Sequence, residues 1–530
     1  MLRLRFMVYL YSVLGLIFCV ALFDLVQKKH AILRNFPLIG HFRYWLELIG
    51  PELRQYIVTS NTEERPFDRS QRRWIYASSK KQNNYFGFGS DRDMELAPNY
   101  LIIKHSAFPY RDPLDTDRSK ELYRIPCAKV MGQWRKRPKA FRPDSIVNIS
   151  SMSFGSLSAR AVEAMNQGAA LCSCLQWTGE GGISRYHKKG GELVWQLGTG
   201  YFGCRDEVGR FSMERFKENV AANPVRAIEI KLSQGAKPGV GGMLPGRKVT
   251  AEISEARGIP VGKDCLSPAF HTEFSCADSL LDFVEKLAAE SGLPVGIKSA
   301  VGDLSFWRDL ARLMKAGDRA VDFITIDGGE GGTGAGPLVF ADHVAQPFKL
   351  GFTDVYKIFC ENDLQQKVVF IGSGKLGFPE ASLFAFSLGC DMVNIAREAM
   401  LAVGCIQAQR CHTNHCPTGV ATQSKWLMRG LDPTLKSVRL ANYIGTLRHD
   451  ILRVSWACGV PHPAFISFEH IDILDENYTK RSPKEVFAYQ DHWGVPSKED
   501  QEDIACLMGR RAFLRDKLCG WLLQLATKVE

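Results

Sequence analysis

The chain has 530 residues, of which 45% are apolar and 23% charged; this ordinary globular composition excludes a disordered or low-complexity protein. Its net charge of +10 is modest for the length, and no known nucleic-acid motif accompanies the basic residues, so no nucleic-acid partner is expected. Fifteen cysteines, an odd number without a regular framework, point to reduced thiols in a cytosolic compartment rather than a secreted disulfide scaffold.

The first element is apolar. From Phe6 to Phe23 the run comes close to the ~18–20 residues needed to cross a bilayer; Asp24 interrupts it, and Lys28 and Lys29 close it. No small-x-small cleavage site follows, so residues 1–29 are expected to be an uncleaved, single-pass membrane anchor rather than a signal peptide. Arg3 and Arg5 precede the run, whereas Lys28, Lys29 and Arg34 follow it, which favours a cytoplasmic catalytic body. Residues 30–140 read as a segment packing on that body. Within it, Phe36–Ile57 has apolar residues at helical spacing cut by Gly50-Pro51, the pattern of two short amphipathic helices. Residues from about 60 to 140 suggest strands and loops, and QWRKRPKAFR (Gln133–Arg142) reads as a solvated basic face.

From about residue 145 the texture changes. Short apolar runs end in Gly-rich loops and lead into helical patterns: DSIVNISSMSFGSLS, VDFITIDGGEGGTGAGP, QQKVVFIGSGKLG and CDMVNIAREAML. Such runs alternating with helices imply an α/β fold with a buried parallel sheet. Glycine-rich loops at the carboxyl ends of the strands favour a (β/α)₈ TIM barrel over residues 141–430, with its site on that face. A doubly wound open sheet is the alternative, but no early GxGxxG opens a helix with an acid some twenty residues on. Residues 431–530 read as a mostly helical C-terminal extension.

Several loops carry candidate chemistry. Gly372, Gly374 and Arg397, in VVFIGSGKLG and VNIARE, suit a phosphate held by backbone amides and a guanidinium. In DGGEGGTGAGP, Gly331 and Gly332 belong to a stretch so rich in glycine that it predicts close backbone approach to a flat or charged ligand. Lys298 sits inside an apolar strand and needs an anion or an electron-rich ring, while Gln234 and Lys237 stand at another strand end. A phosphate cradle, a surface for a flat ring and several lysines at one barrel mouth describe a flavin site. In GCIQAQRCHTNHCPTGVATQ (Gly404–Gln423), Cys405, Cys411 and Cys416 are interleaved with His412 and His415. Zinc, an iron–sulfur cluster, a disulfide or no ligand all suit that stretch alone. A c-type haem does not, for want of C-x-x-C-H.

SMSFGSLS, WTGEGG, KLSQGAKPGVGGMLPGRKVT, GEGGTGAGP, GSGKLG and CHTNHCPTGVATQ occur in the order found in the FMN-binding synthase domain of glutamate synthase. The chain therefore resembles the FMN-binding glutamate synthase family, and in particular its stand-alone, membrane-anchored members. The resemblance implies an FMN- and iron–sulfur-dependent oxidoreductase of the CH–NH₂ class that reduces a 2-imino acid, formed from 2-oxoglutarate and ammonia, to L-glutamate. It implies a [3Fe–4S] cluster on Cys405, Cys411 and Cys416, catalytic roles for Glu180 and Lys237, and substrate carboxylate groups at Arg257 and Ser275. It also implies FMN on Met152, Ser153, Ser156 and Gln234, with Lys298 near the pyrimidine edge and the phosphate by Gly374 and Arg397. Met243, Gly329-Glu330 and Gly336 depart from the family pattern, so another amine or imine substrate is the alternative, as is a non-catalytic electron-transfer subunit. With an anchor where an amidotransferase would stand and no NADPH-binding domain, ammonia and electrons are expected from outside: free ammonium, and a ferredoxin-like protein or a membrane quinone.

Overall fold

Eight short strands carry the fold: β1 (Val147–Ile149), β2 (Gln176–Trp177), β3 (Leu193–Leu197), β4 (Val225–Lys231), β5 (Val295–Ser299), β6 (Phe323–Asp327), β7 (Val369–Ser373) and β8 (Met392–Ile395). In the computed structural model, which describes residues 2–47, 62–95, 97–111 and 118–508, they close into one parallel barrel. Neighbours follow chain order, and β8 returns to β1 with Val393 opposite Val147. Every residue of β1, β3, β5, β6, β7 and β8 is buried. Helices cover the outside while side chains fill the inside, so neither face of a strand meets water, and a continuous apolar run is what such a strand requires. The (β/α)₈ expectation holds.

Around the barrel the details differ from expectation. The 60–140 region contains an α-helix, Arg69–Ser79, started by Asp68 in a reciprocal cap with Gln71. Within the basic stretch at 133–142, Lys136 and Lys139 are exposed, as a solvated face requires, but Arg137 is buried, its Nε 2.9 Å from Asp322 and its Nη1 2.6 Å from Glu285. A long connection between β4 and β5 holds a small hairpin, Met243–Leu244 against Cys265–Leu266, and the helix Ala251–Arg257. In the tail, the helix Pro433–Ala457 packs against Ala159–Cys172 and Arg69–Ser79. The tail is not all helix, because Ile471–Leu474 pairs antiparallel with Tyr100–Ile103 and so joins the regions before and after the barrel.

At the amino end, Leu2–Val26 is one helix. Its Arg5–Val26 stretch, whose 18-residue apolar window has mean hydropathy 2.4 and is not buried against the body, is the one helix among the described residues long and apolar enough to cross a membrane. Of the two amphipathic helices expected over Phe36–Ile57, helical turns run to Glu47, and the second lies outside the described residues.

Candidate active site at the barrel mouth

The carboxyl ends of the strands open into a cavity of about 850 Å³, within the range of cofactor sites. Of the residues singled out in the sequence, it is lined by Met152, Ser153, Ser156, Glu180, Gln234, Lys237, Arg257, Lys298, Gly331, Gly332, Gly374, Arg397, Cys405 and Cys411. These come from the loops after β1, β2, β4, β6, β7 and β8, with Lys298 from within β5, so strands far apart in sequence deliver one constellation. Cys416 lines only a small adjoining cavity, and two residues fall elsewhere. Gly372 points into the helical layer, where a Cβ would lie 2.8 Å from Leu376 and Phe348; side chains alternate along a strand, so Ser373 rather than Gly372 reaches the mouth. Ser275 is exposed, and its backbone N–H bonds the Ser279 hydroxyl at the start of the helix Ala277–Ser291.

The cavity is cationic. Lys231, Lys237, Lys248, Arg257, Lys298, Lys375 and Arg397 line it, against the acids Glu180, Asp327 and Glu398. Glu180 lies 3.0 Å from Lys231, whose ammonium also reaches Gln234 at 2.8 Å. Burial alone would push the Glu180 carboxyl up, but Lys231, Lys237 and Arg257 outweigh it and hold the carboxyl below its usual range. Burial lowers the Lys237 pKa, and Glu180 offsets this only in part. Lys298 is 5% exposed, with Asp327 as its ion partner at 3.6 Å.

Arg257 closes its helix but is no surface arginine. It is buried, donates to the Phe154 carbonyl at 3.1 Å, stacks on Phe202 and leaves its Nε without a partner. Asn394, at the end of β8, likewise presents a buried Oδ1 with no partner to the cavity. Buried polar atoms are normally satisfied, so two orphans on one cavity wall point to a polar ligand. At the other end, Gly374 has a φ of +133° and a Cβ on Gly332 would lie 2.6 Å from Arg397, so glycine is what lets these loops pass the guanidinium. Arg397 itself donates to the Glu330 carbonyl.

The cysteine loop forms part of the same wall. Cys405, Cys411 and Cys416 surround a small adjoining cavity, and Lys248 donates to the Cys411 carbonyl at 2.7 Å. Burial pushes the Cys405 thiol up to about 12 and raises that of Cys411. Among the described residues no three His, Cys, Asp or Glu side chains gather closely enough to hold a single metal ion.

A family model, the conserved region in glutamate synthase, matches residues 106–460. The chain belongs to the glutamate synthase family. Its relatives include the glutamate synthase large subunit-like protein YerD of Bacillus subtilis, 38% identical over 84% of this chain and 90% of that one. The archaeal glutamate synthase [NADPH] of Methanocaldococcus jannaschii is 36% identical over 60% of this chain and 59% of its own. The ferredoxin-dependent glutamate synthase of Cyanidium caldarium is 38% identical over 38% of this chain and 13% of its own. Glutamate synthases are oxidoreductases, and so is this chain.

Within this glutamate synthase barrel, reading the sequence missed Glu229. It is fully buried under the cavity floor and accepts from Trp177 (2.9 Å), Thr325 (2.7 Å) and Gln196 (2.5 Å), with the Ser151 hydroxyl at 3.4 Å. Ser151, Gln196 and Lys298 above it line the cavity. Burial raises the Glu229 carboxyl, Lys298 pulling it back. The signal was an acid inside the otherwise apolar run AIEI. Two departures from the family pattern also find roles: Glu330 accepts from the Phe348 N–H at 2.8 Å, capping Phe348–Glu361, and Gly336 leaves space beside Lys237.

Proposed function

We propose that this member of the glutamate synthase family binds FMN in the barrel-mouth cavity and a [3Fe–4S] cluster on Cys405, Cys411 and Cys416. It reduces a 2-imino acid, formed from a 2-oxo acid such as 2-oxoglutarate and ammonia, to an amino acid such as L-glutamate. One observation carries the reading: Arg397, Lys298, Lys237 and two of the three cysteines line a single cavity. An excess of cations and the orphaned Asn394 Oδ1 suit a phosphate-bearing ring with polar edges. Three thiols around one small cavity suit an iron–sulfur cluster, since thiolates are the soft ligands such clusters take.

When bound, FMN supplies the hydride and the cluster delivers single electrons to it. The chain's own residues do the rest. Gly374, the Gly331-Gly332 amides and Arg397 would hold the FMN phosphate, while Met152, Ser153, Ser156, Gln234 and Lys298 would hold its ring. Arg257 takes a substrate carboxylate through its guanidinium, whose Nε has no protein partner. Lys237, whose ammonium is made more acidic by burial, is the proton donor, and the ionised Glu180 stands beside it. Electrons come from an external donor, a ferredoxin-like protein or a quinone. The helix Arg5–Val26 anchors the chain in a membrane with the barrel on the cytoplasmic side.

A second reading has its own support: Met243 lines the cavity and Ser275 does not, which weakens the grip on a second carboxylate and favours a less polar imine. Protein reduced anaerobically with dithionite and mixed with 2-oxoglutarate and ammonium separates the two. Flavin reoxidation with glutamate formed supports the first; reoxidation only by other imines or quinones supports the second. Cys411→Ser is expected to abolish the broad iron–sulfur absorbance with FMN retained, and wild-type protein with stoichiometric zinc and no iron would sink the cluster assignment.

A further inference from the structure

Asp24, the acid that interrupts the apolar run, has a structural role. It is fully buried and accepts from the Leu38 N–H at 2.9 Å, with the His41 ring 3.0 Å away. The helix end is then bolted to the body: Asn35 donates to the Leu427 carbonyl at 2.7 Å, Trp426 donates to the Asn35 carbonyl at 3.1 Å, and Lys28 pairs with Asp432 at 3.3 Å. The apolar helix is thus held at a definite place on the protein rather than on a loose tether. Beside it, Ile39, Phe42, Trp45 and Leu46 are all exposed.

At this junction basic side chains converge without matching acids. Arg439 donates to the Lys29 carbonyl at 3.4 Å, and Asn442, on the same helix, donates to the Ser79 carbonyl next to Lys80. Lys436 is 3% exposed and its ammonium makes no hydrogen bond or ion pair among the described residues; its Nζ lies 2.9 Å from where a Cβ on Gly404 would sit. Of the nearby acids, Asp432 is taken by Lys28 and Glu47 by Arg43. Burial, with Arg439 and Lys80 beside it, pushes the Lys436 ammonium down to about 7. A buried cation without a counter-ion is costly, and the missing partner is an anion.

We propose that Lys80, Lys436 and Arg439 bind the phosphate of an anionic phospholipid, whose acyl chains lie along the exposed apolar face of residues 39–46. A lipid rather than free phosphate is inferred because the membrane-length helix delivers the bilayer interface to this spot, and basic residues beside an apolar face are what anionic bilayers attract. The inference rests on reading Arg5–Val26 as an anchor.

The test is native mass spectrometry of the full chain in detergent, titrated with phosphatidylglycerol or phosphatidylcholine. Phosphatidylglycerol should be retained at least about tenfold better, and millimolar inorganic phosphate should not displace it. Lys80→Gln/Arg439→Gln, which changes only exposed or half-buried side chains, should remove the preference, as should Lys436→Met, which keeps the packing. Equal retention of the two lipids, a preference that survives both variants, or displacement by inorganic phosphate would overturn the proposal. A chain that does not fractionate with membranes at all would overturn the anchor as well; one that does, without lipid preference, would overturn this inference alone.

Discussion

The two ends of the barrel bury the same kinds of charge and treat them oppositely. At the amino ends of the strands, Lys129 reaches Asp391 at 3.1 Å and the carbonyls of Gln365 and Val368, while Asp391 also accepts from the Phe370 N–H. Arg137 spans Asp322 and Glu285, and Asp322 accepts from the Val295 N–H as well. Each buried charge there has a protein partner at hydrogen-bond distance. At the carboxyl ends the cations outnumber the acids, Arg257 and Asn394 keep unpartnered atoms, and Lys298 has its acid only at 3.6 Å. The closed end satisfies its charges within the barrel; the open end keeps polar atoms without protein partners. That division is the one the fold imposes, since the loops that can vary without disturbing the barrel lie at the carboxyl face.

The contrast can be broken by substitution. Lys237→Met at the open end is expected to lower turnover by about 10²–10⁴-fold, measured by anaerobic single-turnover reoxidation, while the bound-flavin spectrum stays. Arg137→Met at the closed end should cost about 3–5 kcal/mol of stability because it leaves Asp322 and Glu285 uncompensated, read from denaturant unfolding, with the cofactor spectra of the folded fraction unchanged. Equal stability losses at both ends would erase the distinction.

Smaller effects sharpen it. Because the Lys237 pKa is lowered in the folded chain, the unfolded chain holds more protons between that folded pKa and the ordinary value of 10.5. Stability should therefore rise with pH across this window, and Lys237→Met should remove that contribution to the slope. At neutral pH the same variant should be more stable by about 0.5–2 kcal/mol, as is common where a strained functional group is removed. Glu330→Ala, which deletes the cap on Phe348–Glu361, should cost about 1 kcal/mol and leave FMN binding intact; a large loss of flavin would return Glu330 to the site.

Much of this molecule was legible in the residues because burial leaves a local trace. A strand covered on both faces has to be apolar throughout, so VDFITI and VVFIG announced themselves, and the glycines after them announced the mouth. The shortest strand, Gln176–Trp177, was not among those runs, since two residues cannot establish a period. Ser275 and Gly372 do not line the cavity, for a different reason. Proximity in a motif does not say which way a side chain points, and one step along β7 exchanges the cavity for the helical layer. The burial of Arg137 within the basic stretch was missed because charge pattern alone does not reveal that Glu285 and Asp322, 148 and 185 residues on, come to meet it.

By itself the sequence determined the barrel, the apolar helix and the chemical kind of the site, because these follow from which residues avoid water and where glycine interrupts them. Only the tertiary structure decided that Glu229 underlies the cavity floor, that Arg257 turns inward with its Nε unpartnered, that Asp24 locks the apolar helix to the body, and that Lys436 is left without an anion. Partnership between charges depends on distances across the fold, and a chain written in one dimension does not contain them.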